Sequence, residues 1–591
     1  MGKIKEQEKS VNKLEHSDLL PESCIQRVFI ENVKPELNAG RFFIKRCTGD
    51  KVTVSADIFA DGHDILRAVI LHRHLGDENW QEVPMTPMGN DSYSGTFDVS
   101  ALGYHEYTVE AWIDRYESWL QDLIKKFQAA QDVSSEFLEG AELVHATAIR
   151  LDGDEGKWLQ QQSDLLAASG DQASRVEIAK NESLRENMLR SVDRSNSSRY
   201  ERVLRITVET KRAGYGAWYE IFPRSFGVEP GKHSTFRQCE TLFPYISAMG
   251  FDVLYLTPIH PIGESYRKGP NNTLVAGPSD PGSPWAIGSR DGGHKEVHPK
   301  LGTLEDFDHF VNEAAKCGLE IALDIAFQCS PDHPYVREHP EWFRHRPDGT
   351  IKYAENPPKK YQDIYPFDFE CKDWRNLWQE LKNVIMFWIK RGVKIFRVDN
   401  PHTKPFRFWE WLIKEIRNEH PDTVFLSEAF TRPKIMRYLA KCGFSQSYTY
   451  FTWRNTKQEI VDYFKELTQS EVREYLRPNL FINTPDILHE YLQSGGRAAS
   501  QIRLVLAATL GASYGIYGPA FELCEVRAIP GSEDYLDSEK YQFRSWDLNA
   551  ENSLKDFISK VNRIRKENSA LHSDWSLRFY PTTNDQIISY S

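Results

Sequence analysis

Residues 393–402 read VKIFRVDNPH, and residues 424–430 read VFLSEAF. Each is a short β-branched and aromatic run that reaches a carboxylate, Asp399 in the first and Glu428 in the second. Apolar runs of this length, bounded by turn residues, read as buried strands, and a segment of helical period follows each of them. The same strand–loop–helix unit recurs from Gly214 onward. Candidate strands are Ala217–Phe222, Val253–Pro258, Glu320–Phe327, Val393–Val398, Val424–Glu428, Gln446–Phe451, Asn479–Ile482 and Ala512–Tyr517. Between or after them lie the helical segments Leu304–Lys316, Asp373–Lys390, Phe406–Asn418, Ile435–Lys441, Lys457–Leu467, Ala498–Leu510 and Ser553–Arg565. Eight strands alternating with helices predict an α/β fold, a (β/α)8 TIM barrel over residues 206–570 with a loop excursion at about 261–300. A doubly wound open sheet is the structural alternative, but no Gly-rich phosphate-binding turn follows the first strand.

In such a barrel the residues at the strand C-termini face the active site. Arg397 lies two residues before Asp399, on the same face of the fourth strand. The stretch FINTPDI, residues 481–487, presents Asp486 after the seventh strand. A lone carboxylate at a strand end is more often the N-cap of the next helix. Three acids after strands four, five and seven of one barrel instead form a set. Retaining glycoside chemistry needs two carboxyls about 5–5.5 Å apart, one attacking the anomeric carbon and one protonating the leaving oxygen. Arg397 would hold a neighbouring nucleophile ionised.

The rest of the chain is organised around this barrel. Residues 1–20 are charged and aperiodic and read as a flexible tail. Residues 21–115 contain alternating runs at Lys51–Ala60, Leu66–His74, Ser92–Val99 and Tyr107–Asp114, separated by turn clusters, which predicts an N-terminal β-sandwich. Residues 116–205 switch to helical spacing and read as a helical insert, too polar to bury much alone and therefore a candidate dimerisation element. Residues 571–591 resume an alternating pattern, expected to be the start of a truncated C-terminal β-sandwich.

Composition narrows the function. The 591 residues carry 73 Lys plus Arg against 85 Asp plus Glu, a net charge of −12, which disfavours a sequence-independent nucleic-acid binder. No run of 18 apolar residues argues for a membrane span. The first twenty residues lack the apolar segment of a secretory signal, and the eight Cys are scattered without a CxxC pair, so the expectation is a cytoplasmic protein with reduced thiols. No metal motif and no organic cofactor are indicated. Aromatic residues make up 12% of the chain, a surplus that suits sugar stacking, although core packing accounts for most of it.

The blocks FRVDN, SEAF and NTPD, with LDIAFQCSPDHP before them, resemble the motif regions of the α-amylase superfamily, glycoside hydrolase family 13. The surrounding text, GYGAWYEIFPRS, LYLTPIHPIG, GGHKEVHPKLGT, AENPPKKYQDIYP and NPHTKP, is similar to one subgroup, the maltosyltransferases that use α-maltose 1-phosphate to extend α-1,4-glucans. The resemblance spans nearly the whole chain. It implies Asp399 as nucleophile, Glu428 as proton donor and Asp486 as transition-state stabiliser, and it implies a homodimer. Two departures from the amylase pattern stand out: Gln328 and Cys329 replace an Asn-His pair, and Pro485 replaces the His before the third acid. The same substitutions look like the maltosyltransferase subgroup.

A phosphate leaving group calls for cations and polar donors that an amylase does not need. The resemblance points to Lys268, Gln328, Asp363, Asn400, Lys540 and Tyr541 as substrate-binding, with Arg397, Lys359 and Tyr361 beside them. Any one of these lysines, taken alone, is more often a solvated surface charge. Arg267 adds positive charge next to Lys268, and Trp285, Tyr361, Phe369 and Trp409 are candidate glucose-stacking aromatics. The implied activity is maltosyl transfer from α-maltose 1-phosphate to the non-reducing end of α-1,4-glucans. The alternatives are an amylase-type hydrolase or transglycosidase and a non-catalytic glucan-binding scaffold.

Overall fold

The structure, a computed structural model, describes residues 26–227 and 229–591. The expected tail at 1–20 lies outside the described residues. Two compact units form, one from residues 26–36, 52–97 and 106–204, the other from 37–51, 98–105 and 205–591.

In the first unit the strands Val28–Lys34, Asp50–Ala60, Ser92–Val99 and Thr86–Gly89 make one sheet in that order. Gly103–Ile113, Leu66–His74 and Gln81–Pro84 are neighbours in another. Phe97 of the first sheet stacks on His72 of the second, with ring centroids 4.2 Å apart, and meets Tyr107 at 6.1 Å. The expected runs coincide with strands of this unit; Asp50–Ala60 and Ser92–Val99 alternate buried and more exposed residues, whereas Leu66–His74 and Gly103–Ile113 bury consecutive residues.

The helical segment of this unit differs from expectation. Five helices, Arg115–Gln128, Ser134–Ala148, Gly153–Ala167, Gln172–Ala179 and Glu182–Arg190, bury a core of their own around Trp119, Leu123, Phe137, Val144, Leu159 and Leu184. The reading that this stretch is too polar to bury much alone is therefore wrong. Gly153–Ala167 and Gln172–Ala179 carry few apolar residues, so their periodicity is weak, but each contributes two to a shared centre to which Ser134–Ala148 adds Phe137, Ala141, Val144 and Ala148. Trp119 packs so closely on Gly140 that a Cβ there would lie 1.9 Å from the indole.

In the second unit eight parallel strands form the barrel: β1 Gly216–Ile221, β2 Val253–Leu256, β3 Glu320–Ile325, β4 Ile395–Asp399, β5 Val424–Glu428, β6 Gln446–Ser447, β7 Asn479–Phe481 and β8 Ser513–Tyr517. Their order is β6-β5-β4-β3-β2-β1-β8-β7, and the gap between β6 and β7 is closed by a parallel bridge from Ser447 to Pro478 and by the Asn479 amide donating to Gln446 Oε1 at 2.9 Å. Trp218, Tyr255, Ala322, Leu426, Tyr448 and Phe481 fill the barrel interior. All eight expected strands are present. β6 is shorter than expected because Thr449 caps a single tight turn at Tyr450–Trp453, its hydroxyl accepting from Phe451 N–H at 3.2 Å. The helix between β7 and β8 spans Glu490–Leu510 and breaks at Gly496, whose φ of +52° suits a residue without Cβ, so the expected Ala498–Leu510 is the part after the break. A short helix, Phe243–Ala248, between β1 and β2 has too few turns to show a period and was not expected. Residues 579–580 and 589–590 pair as a short antiparallel hairpin.

Candidate active site

β4 and β5 lie in register so that Asp399 and Glu428 are paired across the ladder at the C-terminal rim. Arg397 stands beneath them. One of its nitrogens donates to Asp324 Oδ2 and to Asp399 Oδ1, both at 2.9 Å, and another lies 3.6 Å from Glu428 Oε1. Asn400, next in the chain, turns left-handed with φ +43°. Its backbone N–H donates to Glu428 Oε2 at 3.1 Å and its side-chain amide to Asp399 Oδ2 at 3.2 Å.

These contacts separate the two acids electrostatically. Burial opposes ionisation of Asp399, but Arg397, Lys404 and the Asn400 amide together outweigh it and hold the carboxyl below its ordinary range. Burial raises Glu428 to about 7, Arg397 opposing the shift and the Asp399 charge adding to it. A carboxylate and a neighbouring carboxylic acid at neutral pH can divide nucleophile and proton-donor work between them. Below them, burial lifts Asp324 to about 7 and Glu220 well above its ordinary value, which limits the negative charge packed around Arg397.

A cleft of about 790 Å³ opens above the pair. Asp399, Asn400 and Glu428 form part of its lining, with Lys268, Gln328, Lys359, Tyr361 and Asp363 from the β2 and β3 loops and Asp486, Lys540 and Tyr541 from the loops after β7 and β8. Lys540 donates to both oxygens of Asp486, at 2.8 and 3.0 Å, and stands over the Trp285 ring at 4.8 Å. Lys268 is 3% exposed and donates to Gln362 Oε1 at 3.0 Å. Asp363, buried, has an Oδ1 with no hydrogen-bond partner; its pKa is raised by burial and restrained by Lys268 and Lys540. The Gln328–Cys329 segment pairs antiparallel with Tyr365–Pro366, which brings the loop of Gln328 against the loop of Asp363.

Residues 26–210 match the family domain described as "Alpha-1,4-glucan:maltose-1-phosphate maltosyltransferase, domain N/S". The protein of that name from Chlorobaculum tepidum is 54% identical over 571 residues, covering 96% of this chain and 85% of its own. That from Methylacidiphilum infernorum is 51% identical over 573 residues, covering 97% and 86%. The chain belongs to the α-1,4-glucan:maltose-1-phosphate maltosyltransferase family. A solved Anoxybacillus α-amylase, 16% identical, superposes with a TM-score of 0.51 over 64% of this chain and 84% of its own, which is a likeness of fold.

For this member of the maltosyltransferase family, the structure brings eleven of the twelve expected site residues to one cleft and places the twelfth, Arg397, under its floor. Two supporting readings need correction. Trp409 is fully buried, donates its indole N–H to Pro401 O at 2.9 Å and stacks on Phe327, so it offers no face to a sugar. It sits on a helix whose apolar stripe faces the barrel, and that stripe claims it. Arg267 does not line the cleft; its guanidinium is spent on the carbonyls of Gly263 and Ile262, at 2.9 and 3.3 Å. Trp285 and Phe369 do line it.

The sequence reading missed Asn271, Asn272, Asn356, Ser538, Asp534 and Lys404, which also line the cleft. Lys404 lay in the quoted NPHTKP block, five residues after Asp399, and that spacing was the available signal. His294, Cys329 and His333 bring ligand atoms within 4.8 Å of one another. Their nitrogens are already engaged. Tyr335 N–H donates to His333 Nδ1 at 3.0 Å, which leaves His333 Nε2 protonated to donate to His294 Nδ1 at 3.0 Å, and His294 Nε2 donates to Ala326 O at 2.9 Å. A metal would have to break this chain, which ties the β3 loop to the 292–303 loop.

Proposed function

We propose that the protein is a retaining maltosyltransferase that moves a maltosyl group from α-maltose 1-phosphate to the non-reducing end of an α-1,4-glucan and releases phosphate. The observation that carries this reading is the pairing of Asp399, held below its ordinary range, with Glu428, raised to about 7, in a cleft that also holds the buried Lys268 and the partly exposed Lys540. An amylase cleft has no need of such cations, whereas a phosphate leaving group does.

In the first step an Asp399 oxygen attacks C1 of the maltosyl group. The C1–O bond to phosphate breaks and the electron pair leaves with the phosphate, which Glu428 can protonate and which Lys268, Lys540 and Tyr541 would receive. In the second step ionised Glu428 takes the proton of the acceptor 4-hydroxyl, the hydroxyl oxygen attacks C1, and the ester to Asp399 breaks. Two inversions retain the α configuration. A Glu428 pKa of about 7 serves both steps, since the group must give a proton and later accept one. Asp486, held by Lys540, is placed to stabilise positive charge developing at the anomeric carbon. Asp363, Gln328 and Asn356 supply hydroxyl partners for the sugar, with Lys359 and Tyr361 at the short hairpin beside them.

A glycogen-like polymer product, a cytoplasmic setting and a homodimer complete the proposal. The seven described cysteines are all free thiols, which suits a reducing compartment. Among the described residues no helix is long and apolar enough to cross a membrane. Exposed Leu138, Ile149 and Leu165 on the helical segment supply apolar surface for a two-fold contact.

Phosphate release from maltose 1-phosphate in the presence of glycogen tests the activity. Glucan hydrolysis without use of the phosphorylated donor would favour the amylase-type reading, and glucan binding without turnover the scaffold.

A further inference from the structure

One charged residue beside the catalytic pair has no part in the steps above. Asn400 can touch both Asp399 and Glu428 only because it is left-handed, with φ +43° and ψ +52°, a region that residues with a Cβ seldom occupy. With its N–H fixed by the peptide it shares with Asp399, a return to an ordinary conformation would swing its side-chain amide away from Asp399. Such a conformation persists where surrounding contacts over-determine it. Here the contacts converge on two carbonyls. Lys404 Nζ donates to Asp399 O at 3.3 Å and to Asn400 O at 3.2 Å. Asn400 O also accepts from Thr403 N–H at 3.1 Å and from Thr403 Oγ1 at 2.8 Å.

Lys404 is 8% exposed and borders the cleft. Its ammonium faces Asp399, Glu428 and Asp324, with the Arg397 guanidinium on the same side and His402 on its own turn. Lys540, from the opposite wall, also faces Asp399. Lys404 is thus the cation that both bonds the turn and adds to the field on the nucleophile.

We propose that Lys404 is a positioning residue for maltosyl transfer, clamping the left-handed Asn400 turn so that one residue aligns Asp399 and Glu428. This rests on reading those two acids as the working pair. The clamp acts on both half-reactions and is indifferent to the leaving group, which separates it from Lys268.

The test uses Lys404→Met, Lys404→Gln and Lys404→Arg in the full chain. Steady-state kinetics are measured with maltose 1-phosphate and with maltosyl fluoride across pH. Lys404→Met is expected to lower kcat about 100-fold on both donors, the scale of a misaligned constellation, with KM nearly unchanged. Loss of the cation also makes Asp399 easier to protonate, so the acidic limb of the profile moves up by about one pH unit. Lys404→Arg should return that limb toward its wild-type position. Lys404→Gln keeps a donor for the carbonyls without the charge; it should show the limb shift with a smaller loss of kcat, and it decides the matter if the Met variant does not fold. Wild-type kcat in a folded Met or Gln variant, a loss with the acidic limb unmoved, or a loss confined to KM would each overturn the proposal. Trapping of the maltosyl group on a residue other than Asp399 would instead overturn the catalytic pair, a separate result.

Discussion

Asp399 and Glu428 are held by one residue between them: the Asn400 side chain donates to the first at 3.2 Å and its backbone N–H to the second at 3.1 Å. Because the strands that carry the acids are in register, their relative placement is set by the barrel ladder, and Asn400 adds the last alignment. The same pair is set apart by burial, which raises Glu428, and by Arg397, Lys404 and Asn400, which together hold Asp399 low; Arg397 makes its short contact to Asp399 and its longer one to Glu428.

The division of roles predicts what each deletion leaves behind. Asp399→Ala is expected to abolish transfer in a folded protein. Glu428→Ala should accumulate a maltosyl ester, because phosphate leaves with little protonation while the acceptor hydroxyl needs a base. Intact-protein mass spectrometry with peptide mapping after incubation with donor checks this; absence of the adduct on Asp399 would sink the assignment.

Lys268 and Lys540 should not behave alike. Lys268 bonds only to a neutral amide, so Lys268→Met removes a phosphate contact and lowers kcat/KM for maltose 1-phosphate by roughly 10–150-fold, the loss of one charge-assisted bond, with little effect on maltosyl fluoride. Lys540 also holds both oxygens of Asp486. Lys540→Met should therefore cost activity on both donors. Parallel kinetics with the two donors distinguish these outcomes, and a Lys268 variant equally impaired on both would contradict its phosphate role.

Glu428 makes a pH-dependent contribution to stability whose sign follows from its raised pKa. The unfolded group ionises near 4.5, whereas the folded group keeps its proton to about 7. Across that window the folded state binds more protons, so stability falls as pH rises through it. Glu428→Gln, which stays neutral, is expected to be more stabilising relative to wild type at pH above 7 than at pH below 4.5. Differential scanning fluorimetry at the two ends measures it, and an equal Tm difference at both would refute the shift.

Trp409 is predicted to matter for stability and not for glucan recognition. Trp409→Ala empties a fully buried site and should cost about 3–5 kcal/mol in denaturant unfolding. Trp409→Phe keeps most of the packing, loses the bond to Pro401 O, and should leave the acceptor KM unchanged. A raised acceptor KM in the Phe variant would restore the stacking role.

The amino-acid sequence by itself determined the barrel and its reactive rim. Strand runs such as 393–399 and 424–428 end on Asp399 and Glu428, and in a parallel barrel the strand end is the site, so local pattern and chain direction sufficed. It also pointed, through the family resemblance, to Lys268, Lys359 and Lys540 at the cleft. What only the tertiary structure decided depends on long-range packing. Lys540 meets Asp486 across 54 residues, Trp409 is claimed by the barrel wall and not the cleft, and five helices, some only weakly periodic, turn out to share one core. Lys404 and the left-handed Asn400 belong to the same class: a turn's handedness and the carbonyls a lysine reaches are set by how the loop closes, and no run of residue types encodes that locally.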